Sequence, residues 1–234
     1  MIEVGCCGFP KAKKEYYTHF GVVEVQQTFY HPPRVETCEK WRAQAPLGFE
    51  FALKAWQLMT HAPSSPTYRR LRMEIEKPNR YGFFRPTDEV LVAWEKTKEI
   101  ARALEAHIVL FQRPISFPPT KEHIADMHAF FQAIERDGLL FAWEPRGEWE
   151  EEQIEGLCQE LDLTHGVDLF QHPPVYGEIA YFRLYGIGGY RYHYTDEDLG
   201  RLVHWCREYE EGYCLFNNMT MFEDALRMKE VIGE

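Results

Sequence analysis

Apolar, β-branched and aromatic residues gather in eight short runs along the chain, at residues 2–6, 22–26, 49–54, 108–112, 139–144, 163–168, 180–185 and 213–217. Most are separated by stretches whose apolar positions recur with a helical period. Strands alternating with helices predict βαβ units and a parallel sheet. Eight such units in strict alternation favour closure into a single (β/α)8 TIM barrel, class α/β, spanning residues 1–234 as one domain. An open doubly wound sheet is the alternative that periodicity by itself leaves standing.

Start and stop signals place the helices. Asp88 is expected to cap residues 89–106, with Leu91, Trp94, Ala101 and Leu104 on one face. Thr120 precedes a helix at 121–136. Thr195 or Asp196 starts one at 197–210, with Leu199, Leu202, Val203 and Cys206 sharing a face, and Thr220 opens the last, which ends near Ile232-Gly233. Gly138 and Gly212 fit left-handed caps after helices. One stretch, 57–87, is irregular, and a loop this long after a strand is usually functional or disordered. It is expected to hold a short helix at 66–75, opened by Pro66 behind Ser64-Ser65, and then a turn through Lys77-Pro78-Asn79-Arg80-Tyr81-Gly82.

Strand parity carries the functional signal, because residues i, i+2 and i+4 share a face. Glu24, Gln26 and Thr28 oppose Val23 and Val25. Glu50, Ala52 and Lys54 oppose Phe49, Phe51 and Leu53. Tyr181, Arg183 and Tyr185 oppose Phe182 and Leu184, and Glu144 lies with Ala142, away from Phe141 and Trp143. If the apolar faces meet the helices, the lumen holds Glu24, Gln26, Glu50, Lys54, Gln112, Glu144, Asp168, Arg183 and Asn217. Branched apolar side chains ordinarily fill a barrel, and charges are seldom buried unless paired. A self-neutralising ion-pair network therefore competes with an active site. The strand C-termini, where many of these residues fall, are where barrel enzymes keep their chemistry.

Glu24, Glu144, Asp168 and His61, just past the third strand, are the candidate catalytic groups, as acid, base or ligands of a divalent metal. Lys54, Arg146 and Arg183 are the candidate anion contacts, and Gln112, Asn217, Asn218 and Tyr185 candidate neutral contacts. His165, at the start of its strand, belongs to the opposite end. No phosphate-loop signature G-x-x-x-x-G-K-[ST] occurs, and neither does G-x-S-x-G or H-E-x-x-H. Gly186-Ile187-Gly188-Gly189 follows a strand without a helix opening on it, a weak phosphate cradle.

Composition narrows the class. The formal net charge is −11, which argues against a general nucleic-acid coat protein but leaves room for a local basic patch. Residues 66–87 supply one: Arg69, Arg70, Arg72, Lys77, Arg80 and Arg85 against Glu74 and Glu76, a net of +4, interleaved with Tyr68, Tyr81, Phe83 and Phe84. Read as a basic insertion after strand 3, it is either a solvated surface or a mobile lid over an anionic substrate or a stacked nucleic-acid strand. The cysteines at 6, 7, 38, 158, 206 and 214 form no C-x-x-C pair and are expected as buried reduced thiols. No apolar run is long enough for a membrane span, and the first strand starts at once, so a cytoplasmic chain without signal peptide or membrane partner is expected.

Several segments resemble one family in order along the chain. They are Val23-Glu24-Val25-Gln26-Gln27-Thr28-Phe29-Tyr30, Phe49-Glu50-Phe51-Ala52-Leu53-Lys54 with Thr60-His61, Phe111-Gln112-Arg113-Pro114, Trp143-Glu144-Pro145-Arg146-Gly147-Glu148-Trp149, Phe182-Arg183-Leu184-Tyr185-Gly186 and Phe216-Asn217-Asn218. The chain resembles the domain of unknown function 72 (YecE-like) family of small TIM barrels. The resemblance implies the barrel and site positions Glu24, Thr28, Phe29, Tyr30, Lys54, His61, Gln112, Glu144, Arg146, Arg183 and Asn217, but no reaction. Departures are Cys6-Cys7 in place of small hydroxyl residues, Tyr185 where histidine is common, and the stretch 64–87.

The expectation is thus an enzyme, a hydrolase or lyase, acting on a phosphate-bearing or otherwise anionic substrate at the C-terminal face. The alternatives are a metal-dependent phosphodiesterase or endonuclease on DNA or RNA, and a non-catalytic module binding a metabolite or nucleic acid. A divalent metal is a candidate cofactor, and the sequence leaves the oligomeric state open.

Overall fold

The computed structural model describes residues 1–233. Eight parallel strands close into a barrel in chain order, β1 to β8. The strands are β1 (Ile2–Cys7), β2 (Val22–Val25), β3 (Glu50–Lys54), β4 (Ile108–Gln112), β5 (Leu140–Glu144), β6 (Thr164–Val167), β7 (Ala180–Leu184) and β8 (Gly212–Phe216). Closure is made by β8 pairing back on β1 through a register that sets Ile2 opposite Gly212 and Cys6 opposite Phe216. The open sheet is thereby excluded.

The surrounding helices are α1 (Lys13–Tyr16), α2 (Gln27–Tyr30), α3 (Val35–Gln44), α4 (Gln57–Thr60), α5 (Asp88–Leu104), α6 (Lys121–Ala133), α7 (Glu151–Leu161), α8 (Asp196–Cys206) and α9 (Met221–Ile232). Their apolar stripes and the outward strand faces form one continuous core, which includes Phe51, Trp94, Phe111, Trp143, Phe182 and Leu202. Among the described residues no helix is long and apolar enough to cross a membrane. All six cysteines are free and buried.

Several boundaries differ from the sequence expectation for local reasons. The N-cap of α5 is Thr87, whose hydroxyl accepts the Val90 amide, while Asp88 sits in the first turn with Arg80 3.6 Å away. In α8 the ambiguity resolves to Thr195, in a reciprocal capping box with Asp198. α6 stops at Ala133, and Gly138 serves a left-handed turn with Asp137 beyond the helix end. Gly212 is no cap at all. It is the first residue of β8, where a Cβ would stand 2.1 Å from the Ala180 carbonyl oxygen. The expected helix at 66–75 is a single 3-10 turn, Pro66–Arg70, after which Leu71 turns extended so that it and Ile75 pack on the core.

Inside the barrel the inward residues divide by height. Val22, Ala52, Ile108, Leu110, Ala142 and Leu215 make an apolar plug with Cys7 and Tyr181. Glu24 is in register with two of these residues, Cys7 and Ala52, whereas Lys54, Gln112 and Glu144 are the last residues of their strands, at the C-terminal end. Glu50 is the exception. It opens β3 at the N-terminal mouth, where the Tyr213 hydroxyl donates to it, so it shares a strand face with Lys54 but not a site.

Candidate active site

The centre of the upper lumen is Arg183 on β7, fully withdrawn from solvent. It grips Glu24 of β2 with both sides of its guanidinium, Nε to Oε2 at 2.9 Å and Nη2 to Oε1 at 2.8 Å. Its remaining nitrogen, Nη1, reaches the Glu144 carboxylate on β5 and the Tyr185 hydroxyl. Glu24 also accepts from the Tyr181 hydroxyl at 2.7 Å and from the Gln26 amide. A bidentate, charge-assisted pair of this kind neutralises charges that could not be buried alone.

Glu144 is the junction between this pair and solvent. It accepts from Gln112 Nε2 at 2.9 Å, from the Tyr185 hydroxyl and from Arg146 Nε at 2.9 Å. Burial opposes its charge, but Arg183 and Arg146 outweigh that and hold the carboxyl down at about 2. It is a fixed carboxylate. Asp168, just past β6, is perturbed the other way: burial raises it, although it accepts the amides of Tyr185 and Phe170 at 3.0 Å each. It lines the cleft beside Glu144, and burial makes its carboxyl easier to protonate than a free one.

Arg146 separates two clefts. One, of about 660 Å³, is lined by Glu144, Asp168, His172, Tyr185 and the Gly186–Tyr190 loop. The other, of about 470 Å³, is lined by His61, Ser64, Ser65, Gln112, Arg113 and Ser116. Arg146 borders both, its side chain 36% exposed. Its Nε is spent on Glu144, and its plane lies 4.4 Å from the Tyr185 ring centre. Among the described residues its two terminal nitrogens make no hydrogen bond.

Lys54, the last residue of β3, lies inside the barrel beside Arg183, Glu24, Glu144 and Arg146, without lining either cleft. Its amine lies 4.0 Å from the Phe29 ring centre, and burial, then Arg183, lowers it to about 7. His61 packs edge-on against Phe29, its Nδ1 is 2.8 Å from the Thr60 hydroxyl, and burial and nearby cations push it down to about 3, so it is neutral at physiological pH. Thr28 is turned into the backbone, donating to the carbonyls of Val25 and Lys54. Tyr30 stacks under Arg70, 4.6 Å from the guanidinium, and the backbone N–H of Asn217, half-buried beyond β8, donates to the Leu184 carbonyl. Asn218 is turned away, its amide nitrogen on Asp224 and the Tyr192 carbonyl.

The segment after α4 holds its cations outside both clefts. Arg80 is paired with Glu89 at 2.6 Å, and Arg85 donates to the Tyr81 carbonyl. Its aromatics face the protein: Tyr81 and Phe84 are buried, Phe83 packs on Phe117 and His123, and the Tyr68 hydroxyl donates to the His61 carbonyl. The segment is nailed down where the Gly82 and Phe84 amides reach the carbonyls of Leu58 and Met59. There Gly82 is left-handed, and a Cβ would fall 2.2 Å from the His61 carbonyl oxygen.

Sequence reasoning did not single out Tyr181, although it shares parity with Arg183, nor Arg113, Ser64 and Ser65, whose place in the second cleft depends on how two loops meet. Among the described residues no group of three His, Cys, Asp or Glu stands close enough to hold a metal ion.

An eight-stranded parallel barrel with a charged, cleft-bearing C-terminal mouth defines the class as a TIM barrel. The chain belongs to the family described as "Protein of unknown function DUF72", whose model matches residues 10–234. A DUF72 family protein from Enterococcus faecalis is 19% identical, with a TM-score of 0.75 over 100% of this chain and 96% of that one. The fold is also similar to 3-keto-D-glucoside 4-epimerase from E. coli, at 11% identity and a TM-score of 0.60, covering 100% and 99% of the two chains. Endonuclease IV from Thermus thermophilus gives 13% identity and a TM-score of 0.54, covering 99% and 98%. No curated protein matches the sequence.

Proposed function

We propose that the chain is an enzyme whose substrate is a small anionic molecule, phosphate- or carboxylate-bearing, seated against Arg146 at the barrel mouth. The observation that carries this reading is the state of Arg146: half-exposed, clamped by Glu144, and presenting two uncommitted terminal nitrogens between two clefts. A guanidinium oriented in this way is suited to bidentate recognition of a planar or tetrahedral oxyanion. Arg183, expected from sequence as a second anion contact, is fully engaged by Glu24 and Glu144 and acts here as a positioning residue. Asp168 supplies the proton-exchanging carboxyl, with Gln112, Tyr185 and Asn217 as neutral contacts.

The metal-dependent phosphodiesterase alternative finds little to rest on in these residues. Glu24 and Glu144 spend their oxygens on arginine and neutral donors, Asp168 accepts backbone amides, and the aromatics of the basic segment face inward. Fold neighbours named as a 3-keto-D-glucoside 4-epimerase and as an endonuclease leave the fold itself neutral between the two readings.

The test is a thermal-shift titration with inorganic phosphate, sugar phosphates, nucleotides and dicarboxylates, since ligand binding to the folded state raises its melting temperature. Arg146→Ala is expected to weaken the responding compound about tenfold or more, the loss of a charge-assisted contact. A shift of equal size in the variant, or shifts with neutral sugars alone, would overturn the reading. Saturable binding with no turnover of any bound compound would instead assign the site to a binding module.

A further inference from the structure

We propose that Lys54 forms a covalent imine with the substrate, which makes the ligand an anionic aldehyde or ketone whose charge rests on Arg146. The inference depends on the assignment of Arg146 as the anion contact and names the functional group that must accompany the anion.

The geometry that points to it is an absence of partners in a crowded ionic neighbourhood. Lys54 ends β3 on the inward face, one pleat nearer the mouth than Ala52, which is in register with Glu24. Its residue surface is 7% exposed. The charged and titratable groups facing it are Glu24 from β2, His61 beyond α4, Glu144 and Arg146 from β5 and its loop, and Arg183 from β7. Among the described residues none of the carboxylates lies within 4 Å of its amine, and no hydrogen bond to that amine is made. Each nearby carboxylate is committed elsewhere. The amine rests against the Phe29 face, which offers an ammonium much less than a carboxylate would.

The chain handles its other buried lysine differently. Lys98, its side chain 5% exposed, is paired with Glu95 at 3.0 Å and Glu135 at 3.3 Å, which raise its pKa. A lysine serving only to complete a structural network would be expected in that kind of setting. Lys54 is instead desolvated beside a cation and unpaired, and its pKa of about 7 leaves much of it as free amine at neutral pH. A buried lysine with a depressed pKa is the activated form of this nucleophile.

The step balances without a further reagent. The amine lone pair adds to the carbonyl carbon and gives a carbinolamine. Water then leaves, its oxygen from the carbonyl and its two hydrogens from the amine, and a C=N bond to Lys54 remains. The imine draws electrons from the neighbouring carbon, so proton exchange or carbon–carbon bond cleavage there becomes accessible.

The experiment traps the imine on the intact protein. Pyruvate, dihydroxyacetone phosphate and pyridoxal 5′-phosphate are each incubated with the protein and sodium borohydride. Hydride reduces C=N to a stable secondary amine, which intact-mass measurement and peptide mapping locate. The expected result is a single adduct on Lys54, forming faster as pH rises through about 7 and then levelling off. Inorganic phosphate and Arg146→Ala should each slow it at least tenfold. Lys54→Arg should abolish it, and if that variant fails to fold, the peptide map of the wild-type protein still identifies the modified lysine. The proposal is overturned by no adduct with any probe, or by adducts spread at equal rates over exposed lysines such as Lys14 and Lys40. If phosphate stabilises the protein and no adduct forms, the imine fails and the anion site stands. A Lys54 adduct indifferent to phosphate and to Arg146→Ala would leave the imine standing and remove the anion assignment.

Discussion

Two cations enter the same barrel lumen from opposite sides, Arg183 from β7 and Lys54 from β3, and the surroundings of the two differ. On the β7 side Arg183 meets both Glu24 oxygens, and Glu144 and Tyr185 close the remaining nitrogen. On the β3 side Lys54, His61 and Phe29 pack together without an anion. The first region resembles a structural network that holds the barrel's upper lumen in one arrangement. The second keeps a desolvated amine in reserve, an arrangement that costs stability and is explained most simply by chemistry. Ion pairing in this lumen therefore does not mark the reactive end; the unpaired group does.

The largest blow to this comparison should come from Arg183→Met. It leaves the buried Glu24 and Glu144 without their shared counter-ion, and unfolding in guanidinium chloride should report a loss of about 3–5 kcal/mol. A loss under about 1 kcal/mol would mean that the network is not structural.

Acid should separate the two regions next. His61 on the β3 side, and His165 on β6, are held at about 3 against an ordinary 6.5, chiefly by burial. The unfolded chain therefore takes up protons that the native one refuses. Stability is complete above pH 6.5 and falls as the pH drops towards 3, by on the order of a few kcal/mol in total. Glu144 adds a second loss only below its ordinary 4.5, as the pH approaches 2. Denaturant midpoints across pH 3–7 should show the first limb shrinking in a His61→Gln, His165→Gln double variant, with the lower limb retained. An unchanged first limb would contradict neutral burial of the imidazoles.

Lys54→Met should do the opposite of Arg183→Met and stabilise the protein, by about 1–2 kcal/mol at pH 6, because it removes an uncompensated buried charge. The sign follows from the depressed pKa. The burial penalty is full below about 7, where the folded state must carry the proton, and it fades as the pH rises towards the ordinary 10.5. The gain should accordingly be smaller at pH 9 than at pH 6, read from denaturant midpoints at the two values. Destabilisation at both would show that Lys54 has a partner in solution. The smallest effect on stability belongs to Arg146→Ala. It should cost about 1 kcal/mol or less, because Arg183 still neutralises the Glu144 carboxylate, even though its loss is expected to weaken anion binding.

Much of this was legible in the residues. Alternation in Glu50–Lys54 and Ala180–Leu184 placed Lys54 and Arg183 on inward faces before any pairing was known. The helical stripe of α5 and the capping sequence at Thr195 were local signals of the same kind. Other features were not legible. The interleaved aromatics at 68–84 suggested a stacking surface, but Tyr81 and Phe84 are buried in the core. Nothing in a list of cations and rings states which way each turns, since that depends on the helix packed alongside. Glu50 shared parity with Lys54 yet lies at the far mouth, because parity fixes the face of a strand and not the height at which a residue meets its neighbours.

The sequence by itself determined the eight strands, their inward faces and the charged character of the upper lumen, because hydrophobic period and capping act over a few neighbouring residues. Only the tertiary structure decided that Arg183 is saturated and Lys54 unpaired. That choice is made across the barrel, where closure brings the carboxylates of β2 and β5 within reach of the one cation on β7.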